Sequence, residues 1–196
     1  MSDDKLYDQI STLHHVLGDD LIKTWDVAID GGAYEGRWAL QMAQRFDRVI
    51  AFEPDPVNFP MAEANLKLIA NIELRRQAIF SEAAMVEMHP TRSKHSAGHY
   101  VLPEEGGTIE AVTIDSLRLP SCGLMKLDLE GAEYDALQGA RKTIKRHAPI
   151  LIVEIKGLEV RYGHDVGTLR ALLWRWGYEQ VFAARPDFVF SRLNAP

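Results

Sequence analysis

A short stretch from Asp30 to Gly36 holds two acids and three glycines, and it directly follows the largely apolar residues 25–29. A second apolar run, residues 49–52, ends at Glu53. Strand, glycine turn, helix, strand and acid follow one another in this order in βαβ units that bind an adenosyl ligand. The sequence therefore predicts a ligand site at the carboxyl ends of the first two strands.

The residue types in this turn favour one class of adenosyl ligand. A dinucleotide turn would place a glycine near position 34, where this chain has Tyr34, and it would less often have an acid at position 30. Both features favour S-adenosylmethionine over NAD, which stays open as the alternative. Glycines let the backbone approach the ligand, the helix that follows can meet its carboxylate, and the second acid can bind its ribose. The predicted cofactor-binding residues of this unit are Asp30, Gly31, Gly32, Ala33, Gly36 and Glu53.

A second dense group of polar residues runs from Lys126 to Glu133. If a strand ends near Asp128, then Glu130 and Gly131 form a loop at the carboxyl edge of the sheet, where open α/β folds bind their ligands. We therefore expect Asp128 to contact the cofactor or the substrate. Glu133 is expected to complement the dipole of the helix that follows.

Methyl transfer to an alcohol needs a base that takes up the hydroxyl proton. The candidates for this catalytic role are Asp128, Glu130 and Glu154, together with the loop histidines His89, His95 and His99. Glu154 ends a predicted buried strand, and its alternative role is an ion pair with Lys126 or Lys156.

Three histidines are further candidates for the base, and one amide is a candidate for contact with the adenine. Imidazole exchanges protons readily near neutral pH, but His89, His95 and His99 lie in a polar, irregular tract and are expected to be solvated. Their spacing matches no metal-ligand pattern, so no metal site is predicted.

Gln77 and Ala78 follow a predicted strand, and we expect them to contact the adenine, where an amide can both donate and accept hydrogen bonds.

The elements that position these residues alternate along the chain. Strands are predicted over residues 25–30, 48–53, 71–76, 85–89, 109–114, 123–129, 149–155, 177–184 and 188–192, helices over 34–46, 56–70, 132–146 and 165–176, and loops over 90–98 and 103–107. We expect an α/β fold in which a mostly parallel sheet with an antiparallel terminal strand carries helices on both faces. Residues 1–196 are predicted to form a single domain, with a helical prelude within residues 1–24.

Composition narrows the class of protein and the compartment. The chain has 196 residues, of which 46% are hydrophobic and 26% charged, as expected for one soluble domain. The net charge of −6 argues against a nucleic-acid partner. A single cysteine, a polar N-terminus and the lack of an apolar run near 18 residues indicate a cytoplasmic protein with no membrane partner. The aromatic residues expected in core or dimer packing, which leave a homo-oligomer open, are Trp174, Trp176, Tyr178 and Phe182.

Taken together, these motifs resemble the FkbM family of S-adenosylmethionine-dependent methyltransferases. The resemblance implies a class I methyltransferase fold, which is a Rossmann-like three-layer sandwich with a seven-stranded sheet, and usually methyl transfer to oxygen. It also implies that Glu53 holds the ribose, that Asp128 lies where cofactor meets substrate, and that the methionine end is lined by Asp30, Gly32 and Gly36. The chain departs from the family at Tyr34, where a small amide is common. The matching pieces are residues 29–33 with Gly36, 52–54, 113–117, 126–133 with 139–140, and 152–155.

The sequence thus predicts an S-adenosylmethionine-dependent methyltransferase that acts on a hydroxyl of a small metabolite, sugar or glycan. Two alternatives stay open. A non-catalytic module could bind the same adenosyl ligand as a subunit or sensor. An NAD-dependent oxidoreductase would use the same βαβ unit, although the chain offers no evident Tyr/Lys pair for hydride transfer.

Overall fold

The computed structural model describes residues 21–91 and 96–192. In chain order its strands are β1 (Val27–Gly31), β2 (Arg48–Phe52), β3 (Ile72–Arg75), β4 (Ala78–Ile79), β5 (Ala84–His89), β6 (Tyr100–Pro103), β7 (Ile109–Val112), β8 (Leu124–Leu127), β9 (Ile150–Glu154), β10 (Glu179–Ala184) and β11 (Asp187–Ser191). The helices are α1 (Arg37–Met42), α2 (Phe59–Leu66), α3 (Glu133–Gly139), α4 (Arg141–His147) and α5 (Val166–Arg175). Short 3-10 turns cover Ser96–Gly98, Ile114–Leu117 and Leu158–Tyr162.

The main sheet has seven strands in the order β10-β11-β9-β8-β1-β2-β3. The pairs formed among β1, β2, β3, β8 and β9 are all parallel, whereas β11 is antiparallel to both of its neighbours, β9 and β10. This confirms the predicted mostly parallel sheet with an antiparallel terminal strand. The strand order reverses between β1 and β8, which places a crevice at the carboxyl ends of these strands.

Helices cover both faces of the main sheet, as predicted. Side chains alternate between the two faces along each strand, so that Ile29 and Ile50 enter one core cluster while Ala28 and Val49 enter another. Helices α1 and α2 pack on the second cluster, and α3, α4 and α5 pack on the first. Burial on both sides explains why the strand residues are apolar almost without interruption.

A second sheet with the order β4-β7-β5-β6 is an addition that the sequence did not predict. Strands β5 and β6 form an antiparallel hairpin in which His89 pairs with Tyr100. Strand β6 lies in a tract for which the sequence predicted no strand. It is recognised by its pairing with β5 rather than by a pattern in its own residues. The apolar side chains of this sheet form a third cluster around Val86, Val101 and Ile109.

Several predicted helix bounds are wrong in detail. Helix α1 begins at Arg37 rather than at position 34, because Tyr34 has φ 51° and Gly36 has φ 85°, which are left-handed conformations. The predicted helix over 132–146 is divided into α3 and α4 at Ala140, whose φ is −104°. The predicted prelude falls mainly on residues 1–20, outside the described residues, and residues 21–24 are not helical.

Two further predictions concern the aromatic residues near the C-terminal end and membrane-spanning helices. The aromatic group divides, since Tyr178 and Trp176 join a core cluster whereas Trp174 is 74% exposed. Phe182 packs against the cluster on the opposite face of the sheet. Within residues 21–91 and 96–192, no helix is both long and apolar enough to cross a membrane.

Candidate functional site

A cavity of about 480 Å³ lies at the carboxyl ends of β1, β2, β8 and β9, and the β5–β6 hairpin forms one of its walls. All three predicted catalytic acids, Asp128, Glu130 and Glu154, line this cavity. Part of the predicted cofactor set lines it as well, whereas Asp30, Gly31 and Gly36 do not reach its surface. The cofactor-set residues that line the cavity are Gly32, Ala33, Glu53, Gln77, Ala78 and Asp128.

Glu53 is held rigidly at the tip of β2, where it is only 5% exposed. Its Oε2 accepts a hydrogen bond from the backbone N–H of Tyr34 at 2.7 Å, and its Oε1 accepts one from the N–H of Asp55 at 3.0 Å. The amide of Asn58 is a further hydrogen-bonding partner. Burial raises the pKa of Glu53 to about 7, against the opposing effect of these hydrogen bonds. A carboxylate has about four acceptor positions, so these three partners leave capacity for a further donor.

Asp30 lies behind the cavity wall and is fully buried. Its Oδ1 is 3.5 Å from the Nζ of Lys126, which is the residue beside it on β8. The same Nζ donates to the carbonyl of Gly32 at 3.1 Å and lies 3.6 Å from Asp128. Burial raises the pKa of Asp30. The observed contact of Asp30 is therefore with an internal lysine that supports the glycine turn, whereas the sequence predicted Asp30 as a cofactor-binding residue at the methionine end.

Burial alone would lower the pKa of Lys126, but nearby carboxylates outweigh burial and raise it. Asp128 and Asp30 are the largest of these opposing influences. Lys126 is therefore a buried cation that neutralises the carboxylates of Asp30 and Asp128 at the ends of β1 and β8.

Three carboxylates on the cavity wall surround a second lysine, Lys156. The Nζ of Lys156 lies 2.8 Å from Oε1 of Glu130 and 3.8 Å from Oδ1 of Asp128, and it also contacts Oε2 of Glu154. Burial and the neighbouring Asp128 raise the pKa of Glu154. The carboxylates offer oxygen atoms within 4.8 Å of one another, a spacing at which they could hold a metal ion. Lys156 already places a cation among them, which agrees with the alternative role of Glu154 as an ion-pair partner.

The model of the methyltransferase FkbM domain matches residues 30–179 of this chain. The chain belongs to the FkbM methyltransferase family. The matched segment contains both the glycine turn and the loop after β8, which are two of the segments that line the cavity.

Solved structures of other proteins share the fold of this chain. An FkbM methyltransferase from Methylobacillus flagellatus is 18% identical, with a TM-score of 0.59 over 85% of this chain and 43% of the other. The chain thus spans less than half of that relative. A putative rRNA methylase from Clostridium thermocellum is 12% identical, with a TM-score of 0.58 over 93% of each chain. The N-methyltransferase NodS from Bradyrhizobium japonicum, in complex with S-adenosyl-L-homocysteine, is 12% identical, with a TM-score of 0.53 over 97% of this chain and 86% of that one. A comparison with curated proteins gave no significant match.

The glycine turn of this chain serves chain packing more directly than ligand approach. A Cβ atom at Gly32 would lie 1.9 Å from the carbonyl oxygen of Asp128, and the φ of Gly32 is +77°. At Gly36 a Cβ atom would lie 2.8 Å from the side chain of Leu66. The turn after β1 and the loop after β8 therefore touch through backbone, and this contact brings the two motifs together.

The structure corrects the interpretation of the histidines. His99 is not a solvated loop residue, since its ring lines the cavity and its Nδ1 lies 2.6 Å from Oδ2 of the buried Asp55. His89 stacks on Tyr100 and is absent from the cavity wall. His95 lies outside the described residues. The sequence signal that was overlooked is Asp55 itself, an acid two residues after Glu53 in the loop beyond β2.

Gln77 lines the cavity as expected for an adenine contact, but its side chain is already partly engaged. Its Nε2 donates to Oε2 of Glu110 at 2.6 Å. This contact fixes the amide orientation and leaves the carbonyl oxygen and one N–H available.

Glu133 holds the loop after β8 rather than only complementing a helix dipole. Its Oε1 accepts from the backbone N–H of Leu129 at 2.7 Å and from that of Gly131 at 3.3 Å. Burial raises the pKa of Glu133 to about 8 despite these hydrogen bonds.

This raised pKa predicts how stability depends on pH. The folded protein keeps a proton on Glu133 that the unfolded chain releases between the ordinary value of 4.5 and about 8, so the free energy of unfolding falls as pH rises through this window. In Glu133→Gln the acceptor oxygen remains and this contribution disappears. Urea unfolding across this pH window should show that the free energy of unfolding of Glu133→Gln rises relative to that of the wild type by up to about 1.4 kcal/mol per pH unit. A constant difference between the two proteins would contradict the assignment.

Proposed function

We propose that this FkbM methyltransferase transfers the methyl group of S-adenosylmethionine to a hydroxyl of a small metabolite, sugar or glycan. The observation that carries the proposal is Glu53, a buried carboxylate at the tip of β2 that borders the cavity and has acceptor capacity left. A ribose needs such an acceptor at this position of a βαβ unit. The structurally similar NodS, crystallised with S-adenosyl-L-homocysteine, supports the choice of ligand.

When bound, S-adenosylmethionine supplies a sulfonium methyl that is already activated for transfer. The residues of the chain then have to hold the nucleoside, exclude water and align the acceptor. Glu53 binds the ribose, and Gln77 and Ala78 border the adenine. The β5–β6 hairpin covers the cavity, and Asp128 lies beyond the nucleoside at the end of β8.

The part of the cavity around Lys156 suits an acceptor that carries several hydroxyls. Asp128, Glu130, Glu154 and Lys156 present charged donors and acceptors within a few ångströms of one another. Hydroxyl groups can both donate to such carboxylates and accept from such an ammonium. An acceptor with a net negative charge would meet more acids than bases here, which favours a neutral polyol.

Glu53→Ala is expected to weaken the binding of S-adenosyl-L-homocysteine by about 1–3 kcal/mol, because the ribose hydroxyls lose a buried acceptor. Isothermal titration calorimetry measures the dissociation constant, and circular dichroism checks that the fold survives. Glu63→Ala, on the exposed face of α2, is the matched control and should bind as the wild type does. A dissociation constant of Glu53→Ala equal to that of the wild type would reject the ribose assignment.

The reaction itself is tested in two steps. Calorimetry with S-adenosylmethionine, S-adenosyl-L-homocysteine and NAD should show binding of the two sulfur ligands and not of NAD. A panel of sugars, glycans and hydroxylated metabolites is then incubated with S-adenosylmethionine, and product masses are searched for the addition of one CH₂ unit. Binding of both sulfur ligands without transfer would instead indicate an adenosyl-binding module.

A further inference from the structure

A buried acid holds a histidine on the cavity wall. Oδ2 of Asp55 lies 2.6 Å from Nδ1 of His99. Asp55 is 2% exposed, and its other oxygen accepts from the backbone N–H of Val57 at 2.6 Å and of Asn58 at 3.4 Å. Because Asp55 is itself fixed by the loop after β2, it fixes the orientation of the His99 ring.

The backbone on either side of His99 is also anchored. On one side, Ser96 Oγ donates to Oδ1 of Asn58 at 2.6 Å, and Nδ2 of Asn58 donates to the carbonyl of Ser96 at 3.5 Å. On the other side, the hydroxyl of Tyr162 donates to the carbonyl of Val101 at 2.6 Å. The segment 96–101 is thus tied both to the loop after β2 and to the 3-10 turn after β9.

The ring geometry decides which nitrogen is available. Asp55 engages Nδ1, so Nε2 lies on the side of the ring that is turned away from Asp55. If Nδ1 carries the proton that Asp55 accepts, then Nε2 is left with a lone pair. A carboxylate that holds a histidine in this tautomer makes the second nitrogen a proton acceptor, as in acid–base catalysis by histidine–aspartate pairs.

We propose that His99 is the general base of the methyl transfer and that Asp55 is its positioning residue, an inference that rests on the proposed function. As the acceptor oxygen forms its bond to the methyl carbon, the bond from carbon to sulfur breaks and its electron pair stays on sulfur. The proton of the acceptor hydroxyl moves to Nε2 of His99 and later leaves to solvent. No further reactant is needed.

The other acids on the cavity wall are less suited to this role. Asp128, Glu130 and Glu154 all contact the ammonium of Lys156, so their oxygens are already engaged in ion pairs. Glu53 already accepts two backbone N–H bonds and is assigned to the ribose. His99 is the histidine that lines the cavity in the part of the chain that the structure describes.

The first test needs no acceptor. Long-range ¹H–¹⁵N NMR spectra of the full chain report which ring nitrogen of His99 carries the proton, with His99→Gln used to assign the signals. We expect the Nδ1–H tautomer in the wild type and loss of this preference in Asp55→Asn. A wild-type ring protonated on Nε2 at neutral pH would overturn the proposal, whatever the chain methylates.

The second test uses an acceptor found by the mass screen. We expect His99→Gln to lower single-turnover rates by about 10²–10⁴-fold while S-adenosyl-L-homocysteine affinity stays within about threefold. His89→Gln, on the same hairpin but outside the cavity wall, is the control and should keep the wild-type rate. Added imidazole should restore part of the rate of His99→Gly, which a merely structural role would not allow.

Three results would overturn the assignment of His99. They are a wild-type rate in His99→Gln, a rate loss matched by an equal loss of ligand affinity, and an absence of rescue by imidazole. Failure of the proposed function would look different, because the wild type itself would then transfer no methyl group to any acceptor.

Discussion

Replacing Gly32 with alanine is expected to destabilise the protein by about 2–5 kcal/mol. The added Cβ would lie 1.9 Å from the carbonyl oxygen of Asp128, so the turn after β1 and the loop after β8 would have to separate. Overpacking of this kind costs about 1–3 kcal/mol, and a left-handed conformation adds about 1–2 kcal/mol for an L-residue. Since both segments border the cavity, we also expect ligand binding to be lost.

The control for this variant is Gly106→Ala. Gly106 has φ +83° but nothing within 4 Å of its Cβ position, so this substitution isolates the backbone conformation from the clash. Urea unfolding of both variants should show a loss of only about 1 kcal/mol for Gly106→Ala. Equal losses in the two variants would mean that the contact of Gly32 with Asp128 does not hold the two motifs together.

Lys126→Met is expected to destabilise the protein by about 3–5 kcal/mol, because it removes one partner of a buried ion pair and leaves the other charge uncompensated. Lys126 is 2% exposed, and its Nζ is the cation beside both Asp30 and Asp128. Methionine keeps most of the volume and apolar stem of lysine, so the change acts mainly on charge. The free energy of unfolding is measured with urea, and Lys142→Met on the exposed side of α4 serves as the control.

The double variant Asp30→Asn with Lys126→Met separates charge from packing. Because Asp30→Asn removes the carboxylate that Lys126→Met strands, we expect the double variant to recover a large part of the stability that Lys126→Met loses. Additive losses would show that Asp30 and Lys126 act independently, and would contradict the ion pair as the support of the glycine turn.

The main sheet was predictable because its signals are local. Residues 150–153 are continuously apolar and form a strand buried on both faces, and the alternation of strands and helices indicated a parallel sheet. The second sheet was not predictable in the same way. In its β5–β6 hairpin, Val86 pairs with Pro103 across an irregular tract. No local sequence pattern indicates this pairing.

The candidate site was likewise predictable in part from the sequence. Acids and glycines that end parallel strands must meet at one edge of the sheet, and Glu53, Asp128 and Glu154 do line one cavity. Sequence spacing could not tell that Asp30 lies behind the wall, because its burial depends on Lys126 in the adjacent strand. The pairing of Asp55 with His99 joins residues 44 positions apart, so it appears only once the chain is folded.

Crystals of the protein grown with S-adenosyl-L-homocysteine test the central claim most directly. We expect the ligand in the cavity at the ends of β1, β2 and β8, with a ribose hydroxyl hydrogen-bonded to Glu53 and the sulfur near Asp128. A ligand-free cavity at saturating concentration, or a ribose bound away from Glu53, would contradict it.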